Sequence, residues 1–380
     1  MRNPFDTPER VAFRDAVTRF VRSEIEPHAD EWDEAGTIPW SVHEKTCALG
    51  LFGFGIDERY GGVGFDDAFM RTAAAEILGR WAPGGVVSAI GSRGIMVGLV
   101  AGLASEDIKC RALPEILSGR RGGALGITEP SGGSDVAALQ TRARRDGEHY
   151  VLNGTKTFIT GGMHASHFVI AARTGGEGLG GISLFFVDAD TPGFTRTAIE
   201  RKMGWWCSDT ATLYFDGCRI PAAQLMGEEN RGFLATMNNF NHERLFMAAQ
   251  MLGMARRCLE ESIAYAQERQ TFGKPLVKHQ VIRHKIADMS VRVDAMEALL
   301  QQICWNLNEG ELPVAEICKA KFFCSGALEF IASEAMQIFG GAGYLRGNPV
   351  ERIYREVKVM AIGGGSAEIM RDLAVRQMGL

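Results

Sequence analysis

The sequence lacks any long run of charge of one sign. Its 41 Lys and Arg residues are nearly balanced by 46 Asp and Glu residues, which gives a formal net charge of -5. Proteins that bind nucleic acids electrostatically usually carry a basic stripe or patch. We therefore predict that nucleic acid is not a partner of this chain.

The sequence also lacks the cysteine spacings that mark zinc sites and redox motifs. Its eight cysteines are scattered, without a C-x-x-C pair and without an accompanying set of histidines. Such spacing favours small, buried, reduced thiols. We predict no metal site.

No targeting or membrane segment is indicated. The N-terminus, MRNPFDTPER, has no apolar core of the kind found in secretory signals, so we expect a cytoplasmic protein. The most apolar stretch, residues 84–104, contains Arg93 and six glycines, and glycines let helices pack closely. We predict a buried helix there rather than a membrane span.

The sequence does contain three regions of different periodicity. Apolar residues recur at helical spacing from Pro8 to about Gly119, with Pro27 expected to end the first helix. Short β-rich runs follow from about Arg121, and Asn153-Gly154 within them predicts a hairpin turn. Helical periodicity returns in residues 232–270, 280–309, 314–339 and 367–378. We predict an α+β fold with an N-terminal helical domain (1–120), a middle antiparallel β domain (121–229) and a C-terminal domain of antiparallel helices (230–380).

Two segments resemble the signatures of the acyl-CoA dehydrogenase family. Residues 126–138 (GITEPSGGSDVAA) resemble the first signature, and residues 337–356 (QIFGGAGYLRGNPVERIYRE) resemble the second. Between them NGTKTFIT, MGWWCSDT, GEENRGF, HERLFMAAQ and RQTFGKPLVKHQ occur in family order and spacing. The resemblance implies the family fold, with a C-terminal four-helix bundle, and assembly as a homotetramer that is a dimer of dimers.

The chain departs from the family pattern at two positions. Gly347 stands where the second signature usually has an acidic residue, and Phe158 stands where the aromatic residue beside the flavin is often tryptophan. Neither change removes a group that the chemistry requires.

The resemblance implies FAD as the cofactor, held by backbone and hydroxyl donors so that it meets the substrate rigidly. In the family, the Thr128 and Ser134 positions donate hydrogen bonds to the flavin, and the Thr160 hydroxyl lies near N5. A further set contacts the adenosine diphosphate half of a flavin held by a neighbouring subunit. The implied cofactor-binding residues are Leu125, Ile127, Thr128, Gly133, Ser134, Phe158, Ile159, Thr160, Arg269, Thr271, Phe272, Gln280, Gln337, Gly340, Gly341, Ser366 and Glu368. Without the resemblance, T-E-P-x-G-G-S is typical of an ordinary turn.

The reaction that the resemblance implies needs a carboxylate to remove a proton from the α-carbon of the substrate. Many family members carry it in an I-Y-E-G-T motif, but this chain has Gly364 at that position. Isovaleryl-CoA and long-chain acyl-CoA dehydrogenases place it on a bundle helix instead, and the matching residue is Glu243. Glu243, Met247, Gln250 and Met254 recur on one helical face, and burial there would raise the pKa of Glu243. Without the resemblance, Glu243 is typical of a first-turn helix glutamate.

Other residues at the reaction centre are implied by the same resemblance. The backbone N–H of Gly364 would donate to the thioester carbonyl, where negative charge develops. Ser134, Asn241 and Arg244 would contact the substrate, although an ion pair with a purely structural role explains Arg244 nearly as well.

The sequence thus predicts an FAD-dependent acyl-CoA dehydrogenase that passes electrons to an electron-transfer flavoprotein. An acyl-CoA oxidase, a flavin monooxygenase on the same scaffold and a non-catalytic flavoprotein remain alternatives. The sequence leaves the length and branching of the acyl chain open, and Met247, Met251 and Met254 fit either a pliable pocket or the core.

Overall fold

The computed structural model describes residues 4–380. Its first part is helical, as predicted, and short 3-10 turns and loops connect the helices. The helices are α1 (Pro8–Glu24), α2 (Ala29–Ala35), α3 (Trp40–Ala48), α4 (Ala68–Trp81), α5 (Gly84–Leu103) and α6 (Glu106–Leu117). α1 begins at Pro8 because the Thr7 side chain caps its first turn, accepting a hydrogen bond from Arg10 N. It ends at Glu24, and Pro27 lies in the 3-10 turn that follows.

The apolar stretch forms α5, and more than half of it is buried inside the described structure. By length and composition alone, this helix is apolar enough to cross a membrane. Its glycines permit close contacts: a β-carbon on Gly85 would lie 2.7 Å from Cys207 Sγ. The burial of α5 agrees with the predicted core helix.

The middle region forms an eight-stranded sheet in the order β6-β7-β3-β2-β4-β5-β8, with β1 beside β4. The strands are β1 (Gly122–Gly126), β2 (Arg142–Asp146), β3 (His149–Thr160), β4 (Ala165–Arg173), β5 (Ile182–Asp188), β6 (Phe194–Ala198), β7 (Thr210–Pro221) and β8 (Leu225–Met226). Most neighbours are antiparallel, as predicted. β1 pairs with β4 in parallel, and β2 meets β4 in parallel at a single position, so the sheet is mixed rather than purely antiparallel.

The prediction of a hairpin turn at Asn153-Gly154 is wrong. Both residues lie inside β3, which pairs with β7 along its whole length, and the register shifts between Leu152 and Gly154. This shift is a β-bulge: Gly154 has φ +147° and Asn153 Oδ1 accepts a hydrogen bond from Gly217 N at 2.8 Å. Local turn chemistry is overridden here by pairing with a distant strand.

The C-terminal region contains three long helices and two shorter ones. They are α7 (Gly232–Glu268), α8 (Gln280–Asn308), α9 (Val314–Phe339), α10 (Pro349–Ile362) and α11 (Ala367–Gln377). α7, α8, α9 and α10 pack into a four-helix bundle, and α11 lies against α9. The predicted bundle is therefore present, but α10 supplies the fourth helix rather than residues 367–378. A two-stranded hairpin, β9 (Gln270–Thr271) and β10 (Lys274–Pro275), joins α7 to α8.

All eight cysteines are free, and seven of them are buried. Cys110, on α6, is the exposed one. This distribution agrees with the prediction of reduced thiols.

Candidate active site

Glu243 lies three turns into α7, not in the first turn where a helix-start glutamate would be. It borders a cavity of about 460 Å³ between α4, α5, α7 and the loop after α3. Its Oε2 is buried and meets no hydrogen-bond partner among residues 4–380. Burial raises the pKa of Glu243 to about 7, against the opposing influence of Arg244 and Lys321. The carboxylate is thus free to accept a proton near neutral pH.

The predicted face of α7 is buried. Met247, Gln250 and Met254 follow Glu243 at helical spacing, and each is at most 8% exposed. These side chains carry no charge, so they do not replace the water that Glu243 loses on burial. The low polarity of this face explains why desolvation is the main cause of the raised pKa of Glu243.

Gly364 stands where the family resemblance places the alternative base, and both its backbone and its surroundings disfavour a side chain. Its φ is +65°, a conformation that residues with a β-carbon rarely adopt. A β-carbon there would lie 2.7 Å from Met247 Sδ. Met247 stands one turn after Glu243, so the helix that offers a carboxylate also closes the alternative position.

Two side chains, Arg244 and Lys321, hold the loop that contains Gly364, and Asn241 positions one of them. Arg244 Nε donates to the carbonyl oxygen of Gly364 at 3.2 Å, and its Nη1 donates to Asn241 Oδ1 at 3.1 Å. Lys321 Nζ donates to the carbonyl oxygen of Gly365 at 2.5 Å. Sequence reasoning missed Lys321, because a single lysine within AKFFCSG gives no signal.

Three of the residues predicted to contact the flavin ring come together where the end of β3 meets the loop after β1. Thr157 N donates to the carbonyl oxygen of Thr128 at 2.9 Å, which joins the first signature to the strand that carries Phe158. A β-carbon on Gly133 would lie 3.4 Å from Thr128 Cγ2. Thr128, Gly133 and Phe158 therefore form one continuous wall.

A buried ion pair that sequence reasoning missed supports this wall. Lys156 Nζ lies 2.7 Å from Glu129 Oε1, and both side chains are almost completely buried. Glu129 also accepts hydrogen bonds from the backbone N–H groups of Gln140 and Thr141. Although burial opposes it, the contacts with Lys156 and these hydrogen bonds lower the pKa of Glu129. The glutamate of the signature thus fixes the loop internally, and a lysine at a strand interior was the available clue.

Phe158 combines an unusual backbone with an unusual exposure. It has φ +57° and is 67% exposed, although it lies inside β3 where the register against β7 shifts. A left-handed conformation at an aromatic residue is strained, and such strain concentrates at binding sites. The ring is thereby presented at the surface of the wall, ready for a flat ligand to cover it.

The remaining predicted wall residues differ in accessibility. Ile127 and Ile159 are 8% and 3% exposed, so their side chains belong to the core. Leu125 and Thr160 are half-buried, and Ser134 is exposed. The exposed or half-buried hydroxyls of Thr128, Thr160 and Ser134 are the available side-chain donors on this wall.

A second group of predicted residues lies at the other end of α7. Arg269 follows Glu243 by 26 positions, which along a helix is roughly 39 Å. The members of this group are Arg269, Thr271, Phe272, Gln280, Gln337, Gly340 and Gly341, and all but the half-buried Thr271 are exposed. Tyr265 stacks on Phe339 at 4.3 Å, bringing the hairpin and the end of α9 together. One protomer therefore does not bring this group and Glu243 to the same small molecule.

Ser366 and Glu368 lie at the start of α11. Ser366 caps that helix, because its side chain accepts a hydrogen bond from Ile369 N at 3.4 Å. Glu368 is exposed in the first turn. The structure thus gives Ser366 a local capping role and leaves Glu368 accessible.

Comparisons with known proteins agree with this architecture along the whole chain. Models of the acyl-CoA dehydrogenase N-terminal, middle and C-terminal domains match residues 7–120, 124–218 and 230–379. An acyl-CoA dehydrogenase of Bacillus subtilis is 38% identical over 370 residues, which cover 96% of each chain. The crystal structure of an acyl-CoA dehydrogenase from Geobacillus kaustophilus superposes with a TM-score of 0.95 at 33% identity and covers 100% of both chains.

The relatives also bear on the cofactor. A glutaryl-CoA dehydrogenase from Mycobacterium smegmatis, solved in complex with FADH2, matches with a TM-score of 0.92 at 29% identity, over 98% of this chain and 95% of that chain. The exposed, strained Phe158 beside the Thr128 and Gly133 backbone fits a flat ring system with hydrogen-bonding edges. FAD is the cofactor that the family and these neighbours support. The chain is an oxidoreductase that belongs to the acyl-CoA dehydrogenase family.

Proposed function

We propose that the protein converts an acyl-CoA thioester to the trans-2-enoyl-CoA, with Glu243 as the base that removes the α-proton. The observation that carries this proposal is the buried, unpartnered Oε2 of Glu243 at the edge of a 460 Å³ cavity. The alternative position, Gly364, carries no carboxylate, and its φ of +65° and its contact with Met247 disfavour any side chain there.

The acid–base properties of Glu243 suit this role. A general base works best when its pKa lies near the operating pH, and the pKa of Glu243 is raised to about 7. At neutral pH a large fraction of the carboxyl groups is ionised. Each ionised group is still basic enough to take the α-proton.

Gly364 is proposed to donate its backbone N–H to the thioester carbonyl oxygen. Negative charge develops on that oxygen as the α-proton leaves, and a donor that is already fixed in place stabilises it most. Arg244 and Lys321 hold the carbonyl oxygens of Gly364 and Gly365, so the loop need not reorganise. We assign Asn241 and Arg244 to orienting this loop against the substrate, and Ser134 to contacting the substrate from the sheet.

When bound, FAD would accept a hydride from the β-carbon of the substrate. We propose that the wall of Thr128, Gly133, Phe158 and Thr160 holds its ring. Leu125, Ile127 and Ile159 would support that wall mainly through their backbone, because the two isoleucines are in the core. Ser366 and Glu368, at the start of α11, complete the proposed contacts.

We infer that each FAD is shared between two protomers of a homo-oligomer, which the family resemblance makes a tetramer built as a dimer of dimers. The distance of roughly 39 Å along α7 separates Arg269 from Glu243 within one chain. Phe272 at the hairpin tip is 96% exposed, and Tyr344 at the end of the bundle is 83% exposed. A neighbouring subunit that brings its flavin to this end would cover both aromatic rings.

The proposed electron acceptor is an electron-transfer flavoprotein, a partner that the family resemblance implies. An acyl-CoA oxidase and a non-catalytic flavoprotein are the alternatives that an experiment must separate. Glu243 opposes the non-catalytic alternative, because a buried carboxylate without a partner is costly unless it has a use.

The test is an anaerobic titration of the FAD-loaded protein with acyl-CoA substrates of increasing length, read by the flavin absorbance. We expect the flavin to bleach and the enoyl-CoA product to appear in the mass spectrum. Absence of bleaching with every acyl-CoA would contradict the proposal and favour a binding role. Rapid peroxide formation in air, with no advantage from added electron-transfer flavoprotein, would identify an oxidase instead.

A further inference from the structure

The cavity beside Glu243 has an unusually open wall. α5 faces it with Gly91, Gly94, Gly98 and Gly102, whose spacings of three, four and four residues place them on one side of the helix. A β-carbon on Gly91 or on Gly102 would meet no atom within 4 Å. On Gly94 and Gly98 it would lie 3.0 Å from Phe52 Cδ1 and 2.7 Å from Asn239 Oδ1. The wall is therefore open to a ligand at Gly91 and Gly102.

One part of the cavity lining is polar and charged. Asp66, Arg71 and His242 line the same cavity as Glu243. Arg71 Nε lies 3.1 Å from Asp66 Oδ1, and Arg71 Nη1 donates to His242 Nδ1 at 3.3 Å. Asp66 and His242 are exposed and Arg71 is half-buried. A hydrocarbon chain that covered these groups would remove their water without replacing its hydrogen bonds, which costs free energy.

The cluster has hydrogen-bond donors to spare. A guanidinium carries five N–H groups, and Asp66 and His242 engage two of the three nitrogens of Arg71. Since His242 Nδ1 accepts from Arg71, the imidazole is neutral and carries its proton on Nε2, which is a further donor. Desolvation and the neighbouring Arg71 lower the pKa of His242, while Asp66 opposes them, in agreement with a neutral ring.

The charge of the cluster indicates what it can recognise. Asp66 balances the charge of Arg71, and His242 is neutral, so the three groups together carry no net charge. Their free donors therefore need an acceptor oxygen on the ligand, but they do not require that oxygen to be ionised.

We propose that the protein prefers broad acyl groups that carry an acceptor oxygen on the acyl chain, bound by Arg71 and His242. This inference rests on the proposed acyl-CoA dehydrogenation, since it assigns the substrate class of that same site. Gly91 and Gly102 on α5 provide the width, and the cluster provides the recognition.

The experiment compares acyl-CoAs of matched length in three forms: unsubstituted, ω-hydroxy and ω-carboxy. We expect kcat/KM at the best length to be about tenfold higher for an oxygenated form than for the unsubstituted form, the value of one hydrogen bond to a charged group. A preference for the hydroxy form would show that a neutral oxygen suffices. A preference for the carboxy form would show that the cluster also recognises the negative charge of the ligand.

Variants test whether the Asp66, Arg71 and His242 cluster causes the preference for oxygenated acyl groups. Arg71→Met should reduce the ratio of oxygenated to unsubstituted kcat/KM about tenfold, and Arg71→Lys should recover part of it. Arg19→Met, an exposed position on α1, is the matched control and should leave the ratio unchanged. Gly91→Leu should lower kcat/KM for branched acyl-CoAs about tenfold relative to butyryl-CoA, because its side chain would enter the open wall.

Two results would overturn the inference: equal kcat/KM for the three forms at every length, or a preference that Arg71→Met leaves intact. These results are distinct from failure of the proposed function. If unsubstituted acyl-CoAs bleach the flavin without any advantage for oxygenated ones, the substrate class alone is wrong. If no acyl-CoA bleaches it, the proposed dehydrogenation itself is wrong.

Discussion

Arg244 Nε donates a hydrogen bond at 3.2 Å to the carbonyl oxygen of Gly364. The residue that directly follows the proposed base thus holds the loop in which the family resemblance places the alternative base. Base and loop are coupled through one side chain, so a shift of α7 would move the carboxylate and the proposed thioester donor together. Such coupling preserves the mutual geometry that proton abstraction needs.

We predict that Glu243→Gln retains FAD and the fold but loses most of its turnover. The amide keeps the size of the side chain and cannot accept the α-proton, and general-base catalysis is typically worth about 10² to 10⁴ in rate. Stopped-flow flavin reduction under anaerobic conditions measures the loss. Glu309→Gln, at an exposed position after α8, is the matched control and should reduce flavin at the normal rate. Near-normal reduction by Glu243→Gln would remove Glu243 from the mechanism.

The pH dependence of kcat/KM follows from the pKa of Glu243. Burial raises that pKa to about 7, and the ionised form is the active one. We therefore expect kcat/KM to fall as the pH drops through about 7, with a slope of one proton. A profile that stays flat down to pH 5 would contradict this assignment.

The free energy of unfolding should fall as the pH rises, over the same range in which kcat/KM should rise. The folded-state pKa of Glu243 lies above its ordinary value of 4.5, as does that of Glu356, which burial and Asp33 also raise to about 7. The stability associated with these neutral carboxyl groups is complete below about 4.5 and is lost as the pH rises through about 7. Thermal unfolding should be measured at each pH together with kcat/KM. Loss of activity through unfolding would appear at high pH, whereas protonation of Glu243 lowers activity at low pH.

Lys321→Met should impair catalysis without preventing folding. Lys321 fixes the carbonyl oxygen of Gly365 and favours the ionised form of Glu243. Its removal should lower kcat about tenfold to a hundredfold through misplacement of the loop, and it should move the midpoint of the pH profile upward. Lys319→Met, two residues earlier on α9 and paired with Glu316 at the surface, is the control. A purely structural lysine would lower stability and leave the midpoint where it was.

Phe272→Ser tests the shared cofactor site. Phe272 is 96% exposed at the hairpin tip, and we expect its loss to reduce FAD content and to weaken the oligomer together. Size-exclusion chromatography with detection at the flavin absorbance measures both. Leu312→Ser removes another exposed apolar side chain, in the loop between α8 and α9, and should change neither. Full FAD occupancy in a monomeric Phe272→Ser variant would contradict sharing between subunits.

The sequence predicted the order of helices, sheet and helices because periodicity survives in the long amphipathic segments. It failed at Asn153-Gly154, where the pairing partner of β3 lies more than fifty residues away and decides that the strand continues. It also missed α10 as a separate helix, since residues 349–356 were interpreted only as part of a signature. Contacts between distant elements are not visible in local patterns.

The candidate site was predictable in its identities but not in its geometry. The family resemblance led to Glu243 and Gly364, whereas the contact between Gly364 and Met247 depends on how α7 meets the loop before α11. Lys321, Arg71 and His242 each come from a different element, and only the packed structure brings them to the cavity or its loop. The cytoplasmic location stays a prediction from the N-terminal sequence.

The distribution of cysteines gives the protein a built-in labelling position. Burial raises the pKa of thiols such as Cys47 and Cys318 above the ordinary value, so these groups stay protonated and shielded from alkylating reagents. Cys110 alone is exposed. A maleimide fluorophore should therefore attach at one point on α6 of the natural sequence, which allows subunit exchange and partner docking to be followed by energy transfer without introducing a new cysteine.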